Sequence, residues 1–463
     1  MQKNLHIHFI GIGGIGMSGI AKILKIRGYQ VSGCDVNIHQ KSILELTALG
    51  CSIFPEHNSA HCTQLAIDLV VYSSDINPAE PELTMARNLG ITTIQRGLLL
   101  AQLMRNYLSI AITGSHGKTT TTALVSELLL HAHMDPTIVV GGYLKSINTN
   151  AHQGTSRFFV VEADESDRSH LFMNPEYALI TNMDLDHVDT YASLNDIKTS
   201  FEQFLSNVPF YGTIFLCADD PYSLDIAPRS RPNIVWYGTC QRAAVRAVDI
   251  ELNPTTSSFT LLINNAIIGS MTINTPGIHN VRNALGAIAI AHTLAIDTAV
   301  IQQALAKFSG VERRFCYHGM YKGALLYDDY GHHHEEIKSI LPVAQSNAKG
   351  GVIVIFQPHR YSRTAAFWQE FIHIFASSTI KHLIVTDIYG KSEDPIENIS
   401  GYELALAIRA TKPSFGVSYS SLSNGPQDIK NALDAVISEN DLILLQGAGN
   451  LAALSIPFLI NNQ

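Results

Sequence analysis

Residues 111–125, AITGSHGKTTTTALV, run from an apolar segment into a glycine-bounded turn holding Lys118, and hydroxyl residues follow at once. This order predicts a strand, a phosphate-binding loop and a helix. In such a turn the amides from Gly114 through Ser115, His116 and Gly117 to Lys118 point at phosphate oxygens. The Lys118 ammonium reaches the β and γ oxygens, and Thr119 is placed to ligate Mg²⁺. The helix beginning there adds its positive N-terminal end. The loop is the shorter TGxxGKTT form, because Ile112 stands where the common phosphate loop has glycine. An ordinary strand-to-helix turn is the plainer alternative, but the apolar run before it and the helical run after it favour the nucleotide.

Composition narrows what surrounds this loop. At 463 residues the chain exceeds one hydrophobic core and suggests about three domains. With 46% hydrophobic and 15% charged residues it reads as compact and well buried. A net charge of -9 argues against a nucleic-acid surface. No apolar run reaches the ~18 residues of a membrane span, so membrane insertion is not expected. The N-terminal MQKNLHIHFIGIGG breaks into glycines where a secretion signal would continue, so it reads as a strand and the protein as intracellular. The six cysteines form no CxxC pair and indicate neither a zinc knuckle nor a disulfide framework. They read as reduced, mostly structural thiols.

Upstream of the loop, LHIHFIGI, GIGGIG, MSGIAKILKIRG and YQVSGCD read as a strand, a turn, a helix and a second strand. Gly11, Gly13 and Gly16 satisfy GxGxxG, and Asp35 ends the second strand at the distance where dinucleotide folds place a ribose-binding acid. That pattern lets backbone approach a diphosphate, and NAD and a UDP-sugar both carry one. Strand-like LAIDLVVYSSDI and ITTIQRGLLLAQLM follow, leading to a linker near Asn106. Downstream, FFVVEADESD and ALITNMDLDHVD place acids and a histidine at strand ends, and TPGIHNVRNALGAIAIAHTLAI reads as a capped helix. The pattern resets near Gly310, after which GALLYDDYG, GGVIVIFQPHRYS, KHLIVTDIYG and NDLILLQGAGN read as strands between helical stretches. The expectation is an α/β protein of three domains: residues 1–106 Rossmann-like, 107–310 a central P-loop ATPase unit, and 311–463 a second Rossmann-like unit.

Several side chains stand where chemistry is expected. Glu162 ends the FFVV run, the place of a second metal-coordinating carboxylate in phosphate-loop enzymes. His187 is flanked by Asp184, Asp186 and Asp189, a cation-favouring setting that a structural histidine also tolerates. Asn280 and Asn283 share one helix face, suited to a base edge or to solvent. Asp328, Asp329, Tyr330 and the run His332 to His334 close one strand, and His359, Arg360 and Arg363 close another. A site facing the nucleotide, a metal tract and a solvated helix start all remain compatible with the histidine run.

Taken in order, GIGGIGMSGIA, TGSHGKTTTT, EADESD, TNMDLDHVDTY, GIHNVRNA, RRF, DDYGHH, FQPHRYSRT and LILLQGAGN resemble the Mur ligases of bacterial cell-wall synthesis, over nearly the whole chain. The departures are His334, where proline is usual, and Leu451, where isoleucine usually follows GAGN. The resemblance implies UDP-sugar, ATP and amino-acid domains in that order. It implies ATP contacts at Gly114, Ser115, His116, Gly117, Lys118, Thr119, Thr120, Asn280, Asn283, Arg314 and Asp329. Two Mg²⁺ ions fall to Thr119, Glu162 and His187. Gly13, Gly14, Ile15, Gly16, Asp35, His57, Ser74 and Arg96 fall on the UDP-sugar side, and Tyr330, His332, His359 and Arg363 surround the amino acid. Catalysis is expected from Lys118, Glu162, His187 and His332.

The implied reaction joins L-alanine to the lactyl carboxylate of UDP-N-acetylmuramate through an acyl phosphate, with ADP and phosphate released. A cytoplasmic bacterial enzyme, monomer or homodimer, with small-molecule substrates and no nucleic acid follows from the same resemblance. Three rivals are weighed beside it: a ligase placing murein tripeptide on the same sugar, an NAD-dependent oxidoreductase fused to an ATP-binding module, suggested by GIGGIG with Asp35, and a nucleotide-gated binding protein without chemistry.

Overall fold

The computed structural model describes residues 5–228, 233–391, 393–423 and 425–461. Residues 1–4, part of the N-terminal segment read as a strand, lie outside them. Three sheets, flanked by helices, make a three-domain α/β fold.

The first sheet holds β1 (His6–Ile10), β2 (Gln30–Cys34), β3 (Ser52–Phe54), β4 (Leu69–Tyr72) and β5 (Thr92–Gln95), all parallel, in the order β3-β2-β1-β4-β5. The winding reverses beside β1, so the glycine loop after it opens at the switch where such sheets receive ligands. The helix Ile15–Ile26 leaves that loop and packs on both its own sheet and the second one. Its Lys22 donates to Asn150 Oδ1 at 2.6 Å, and Asn150 Nδ2 donates back to the Ile15 carbonyl at 2.6 Å. One apolar cluster runs from Phe9 and Ile20 to Val161 and Phe201, tying the first sheet to the second.

The second sheet comprises β6 (Leu108–Thr113), β7 (Thr137–Leu144), β8 (Thr149–His152), β9 (Phe158–Glu162), β10 (Tyr177–Ile180), β11 (Thr213–Cys217), β12 (Ile234–Gly238), β13 (Val245–Leu252), β14 (Ser257–Ile263) and β15 (Ala266–Ile273). Their order is β15-β14-β13-β12-β11-β10-β6-β9-β7-β8. With β6 between β10 and β9, the phosphate loop lies beside the carboxyl ends of both neighbours. Runs such as SIAIT and FFVV are buried on both faces, as parallel strands covered by helices require. Each Ile, Leu or Val so buried contributes about 1.5–3 kcal/mol. The helix Ile278–Thr293 lies close because of its small residues; a Cβ on Gly286 would sit 3.0 Å from Leu179. Its N-cap is Gly277, with no side-chain cap.

The antiparallel ribbon β13-β14-β15 was not anticipated. Its second turn joins Ile263 to Ala266 through Asn264 and Asn265, both at positive φ (50° and 65°), the paired left-handed geometry of a two-residue hairpin.

The third sheet runs β16-β17-β21-β18-β19-β20, from β16 (Cys316–Tyr321), β17 (Ala324–Asp329), β18 (Val352–Phe356), β19 (His382–Val385), β20 (Gly416–Tyr419) and β21 (Leu442–Gln446). Only the β16 edge is antiparallel. His334, where the resemblance leads one to expect proline, is the first residue of the helix His334–Asn347. Proline is favoured there because that amide has no helical partner, so histidine keeps the same start. The Glu336 carboxylate accepts the His332 and His333 amides at 3.0 and 3.2 Å and fixes the entry.

Candidate active site

The loop after β6 depends on its glycines. Gly114 and Gly117 have φ of 128° and 81°; a Cβ on Gly114 would lie 2.2 Å from Thr181 Oγ1, and one on Gly117 would lie 2.5 Å from Asn283 Oδ1. The expectation that every loop amide faces a ligand needs correction. Ser115 N donates to the Asn182 carbonyl at 3.0 Å and His116 N to Asn182 Oδ1 at 2.9 Å, because the loop closes on the end of β10.

Lys118 Nζ donates to the carbonyls of Gly114 and Ser115 at 2.7 and 3.0 Å and to Glu165 Oε1 at 2.7 Å. Burial opposes its charge, but Glu165 and neighbouring carboxylates outweigh burial and hold its pKa above the ordinary value. Thr119 Oγ1 lies 3.0 Å from Glu162 Oε1, and Gly141 N donates to Glu162 Oε2 at 2.8 Å. Burial raises the Glu162 pKa despite the opposing pull of Lys118. A hydroxyl and a carboxylate so paired offer hard oxygen donors, the set Mg²⁺ selects. His187, at φ 55°, turns Nε2 to within 3.3 Å of Glu165 Oε1. Sequence reasoning passed over Glu165 within the acidic run EADESD, yet this residue joins Lys118 to His187.

Beside the loop opens a cavity of about 690 Å³, lined by His116, Gly117, Thr120, Asn280, Asn283, Arg314 and Asp329 among others. Asn280 and Asn283 do share a face, their amides 3.4 Å apart. Arg314 stacks on the Tyr330 ring, 5.2 Å from its centre, and pairs with Glu336 at 3.4 Å. Asp329 accepts from Phe315 N, Gly331 N and Gln446 Nε2 at 2.8–3.0 Å, so it braces the end of β17 whatever else it binds.

The third-sheet residues converge across the cleft. The rings of Tyr330, His332 and His359 stand in series at 5.4 and 5.2 Å, and His359 Nδ1 lies 3.3 Å from the Arg363 guanidinium. Arg363 in turn donates to Asp186 Oδ1 at 3.1 and 3.2 Å, a buried pair linking the second sheet to the third. Burial, with the Arg363 charge, lowers the His332 pKa to about 4; burial and the charge of His332 lower that of His359 to about 2. Asp186, like Glu336, was not chosen from sequence, since only the folded chain sets it against its partner.

On the first sheet, Asp35 Oδ2 accepts from Gly13 N at 2.9 Å, holding the glycine loop closed against β2. A Cβ on Gly16 would lie 2.8 Å from Arg96, whose guanidinium bonds Asp164 and Asp167 at 3.0 Å each. Ser74 Oγ joins Asp167 at 3.1 Å. Gly14 and Ile15 form the turn into the helix. His57 Nδ1 lies 3.1 Å from Cys34 Sγ at the end of β2.

Fold and site together define a three-domain α/β enzyme with a lysine-bearing glycine loop at a cavity between its second and third sheets. Residues 6–108 match the Mur ligase family catalytic domain, 112–291 the Mur ligase middle domain, and 313–449 the Mur ligase glutamate ligase domain. The chain belongs to the Mur ligase family. It is 40% identical to the UDP-N-acetylmuramate--L-alanine ligase of Syntrophus aciditrophicus, covering 99% of this chain and 94% of that one. It is 42% identical to the ligase of the same name from Geotalea uraniireducens, covering 96% and 95%. The solved UDP-N-acetylmuramate-alanine ligase of Thermotoga maritima superposes with a TM-score of 0.80 at 26% identity, covering 99% of each chain. Among the described residues no helix is long and apolar enough to cross a membrane.

Proposed function

We propose that the chain joins L-alanine to the lactyl carboxylate of UDP-N-acetylmuramate with hydrolysis of ATP to ADP and phosphate, in peptidoglycan precursor synthesis. One observation carries this: a lysine-bearing phosphate loop, paired with Glu162 and Glu165, faces the His332, His359 and Arg363 group, in a chain similar over nearly its full length to L-alanine ligases. Residues 1–106 would hold the UDP-sugar, 107–310 the nucleotide and 311–463 the amino acid.

A carboxylate resists attack by an amine because its oxygen leaves poorly and its charge repels the incoming electron pair. Transfer of the γ-phosphoryl group to that oxygen makes an acyl phosphate; the L-alanine amine then adds to the carbonyl carbon, and the C–O bond to phosphate breaks. Bringing the carboxylate to a polyphosphate opposes like charges, about 4 kcal/mol per unit pair at ~4 Å and effective dielectric ~20. Lys118, released from Glu165, would offset part of it. Mg²⁺ held by Thr119 and Glu162, with His187 as ligand to a second ion, would neutralise more of the polyphosphate charge.

His332 Nδ1 lies 3.1 Å from the Tyr330 carbonyl and so carries the proton. Its Nε2 lone pair is left to accept a proton from the attacking amine, and burial keeps the ring neutral. Arg363 and His359 would orient the amino-acid carboxylate. Phosphate release that needs UDP-N-acetylmuramate, ATP and L-alanine together supports this assignment. Release with murein tripeptide in place of L-alanine points to the sister activity, and turnover of NAD to the oxidoreductase.

A further inference from the structure

Behind the glycine loop of the first sheet lies a second group of chemically active side chains, unused by the reaction above. His8 on β1, Cys34 at the end of β2 and Glu82 in the first turn of the helix Pro81–Asn88 are each fully buried. One imidazole nitrogen, Sγ and a carboxylate oxygen of these three lie within 4.8 Å of one another, and His57 joins the trio from its Cys34 and Glu82 side. Cys34 Sγ is 3.1 Å from Glu82 Oε2 and 3.1 Å from His57 Nδ1, and His57 Nδ1 is 4.0 Å from Glu82 Oε2.

Further polar contacts surround the group. His8 Nδ1 lies 2.8 Å from Ser32 Oγ, which lies 2.7 Å from His6 Nε2. On the other side, His8 Nε2 stands 2.9 Å from Glu82 Oε1. A proton on Nε2 satisfies this pair, and a metal ion bound between the two atoms would replace that proton. His61 Nδ1 meets the same oxygen at 2.8 Å and orients the carboxylate.

We infer that His8, Cys34, His57 and Glu82 form a binding site for a divalent transition metal, zinc by the chemistry of its donors. Two imidazole nitrogens, a thiolate and a carboxylate oxygen are the borderline-soft set that zinc accepts, in the four-coordinate shell of its structural sites. Zn²⁺ with one thiolate and one carboxylate leaves the buried site with no net charge. The ion would tie the segment after β3, which carries His57, and the helix Pro81–Asn88 to the edge of β1 and β2. No CxxC spacing announces the site, because its ligands come from four separate elements.

The test uses the full-length chain, loaded with Zn²⁺ or Co²⁺, desalted, and assayed for metal by mass spectrometry. One zinc per chain is expected, together with a thiolate-to-cobalt charge-transfer band in the near ultraviolet. Cys34→Ser should abolish the band, and His57→Gln, a change at a half-buried position that spares the core, should release zinc. Ser32→Ala removes only the hydroxyl that orients His8 and should weaken zinc binding about 10–100-fold. Zinc well below one per chain in loaded wild type overturns the site. So does zinc content unchanged in His57→Gln, or a cobalt band that persists in Cys34→Ser.

Discussion

Replacing Lys118 with methionine keeps most of the side-chain volume and removes the charge. An ammonium about 4 Å from a phosphate charge, at an effective dielectric near 20, is worth about 4 kcal/mol. At about 1.4 kcal/mol per tenfold, turnover should fall about 10³-fold. The substitution has a second effect: Glu165, 2% exposed and 2.7 Å from Nζ, loses its partner. Stranding a buried charge costs about 3–5 kcal/mol, so Lys118→Met should also unfold at lower temperature. The double variant Lys118→Met/Glu165→Gln separates the two effects, because it removes the stranded carboxylate without restoring the cation. Phosphate release and thermal unfolding would be measured on both, with UDP-N-acetylmuramate affinity by calorimetry. Expected are recovered stability, unrecovered turnover and nearly unchanged sugar binding. A double variant within tenfold of wild-type turnover, or a parallel loss of sugar affinity, refutes the role given to Lys118.

Arg363→Met should destabilise the chain by about 3–5 kcal/mol by orphaning Asp186, and adding Asp186→Asn should restore much of this; thermal unfolding showing the double variant no better than the single one contradicts the pairing. Gly141→Ala would place a Cβ 2.6–2.8 Å from the Glu162 carboxylate atoms, and titration of activity with Mg²⁺ should show the requirement raised about 10–100-fold; an unchanged requirement removes Glu162 from the ion. His332 has its pKa lowered from 6.5 to about 4 by burial and Arg363, so its stabilising contribution is full above pH 6.5 and is lost as pH falls toward 4. Melting temperatures should show His332→Gln weakening the acid dependence by about 2 kcal/mol between pH ~7 and ~5, and parallel curves would place the titration elsewhere.

Residues that act through local backbone were legible from sequence. The turn 114–117, Asn280 and Asn283 on one helix face, and the strand ends at Glu162, Asp329 and His359 follow from period and punctuation alone. What was missed depends on pairing between distant segments. Glu165 is one acid among four in EADESD until β9 sets it against Lys118, and Asp186 gains meaning only from Arg363 on another sheet. His57, placed on the sugar side by the resemblance alone, likewise shows its contacts with Cys34 and Glu82 only in the fold. The β13-β14-β15 ribbon escaped because its Asn264-Asn265 turn lacks the glycine that usually marks a hairpin.

The most direct measurement is phosphate release from ATP with UDP-N-acetylmuramate present and L-alanine, glycine, L-serine or murein tripeptide supplied in turn. The account predicts release that depends on both the sugar and L-alanine, with UDP-N-acetylmuramoyl-L-alanine as the product. Release that needs no sugar, or that tripeptide supports and L-alanine does not, contradicts it.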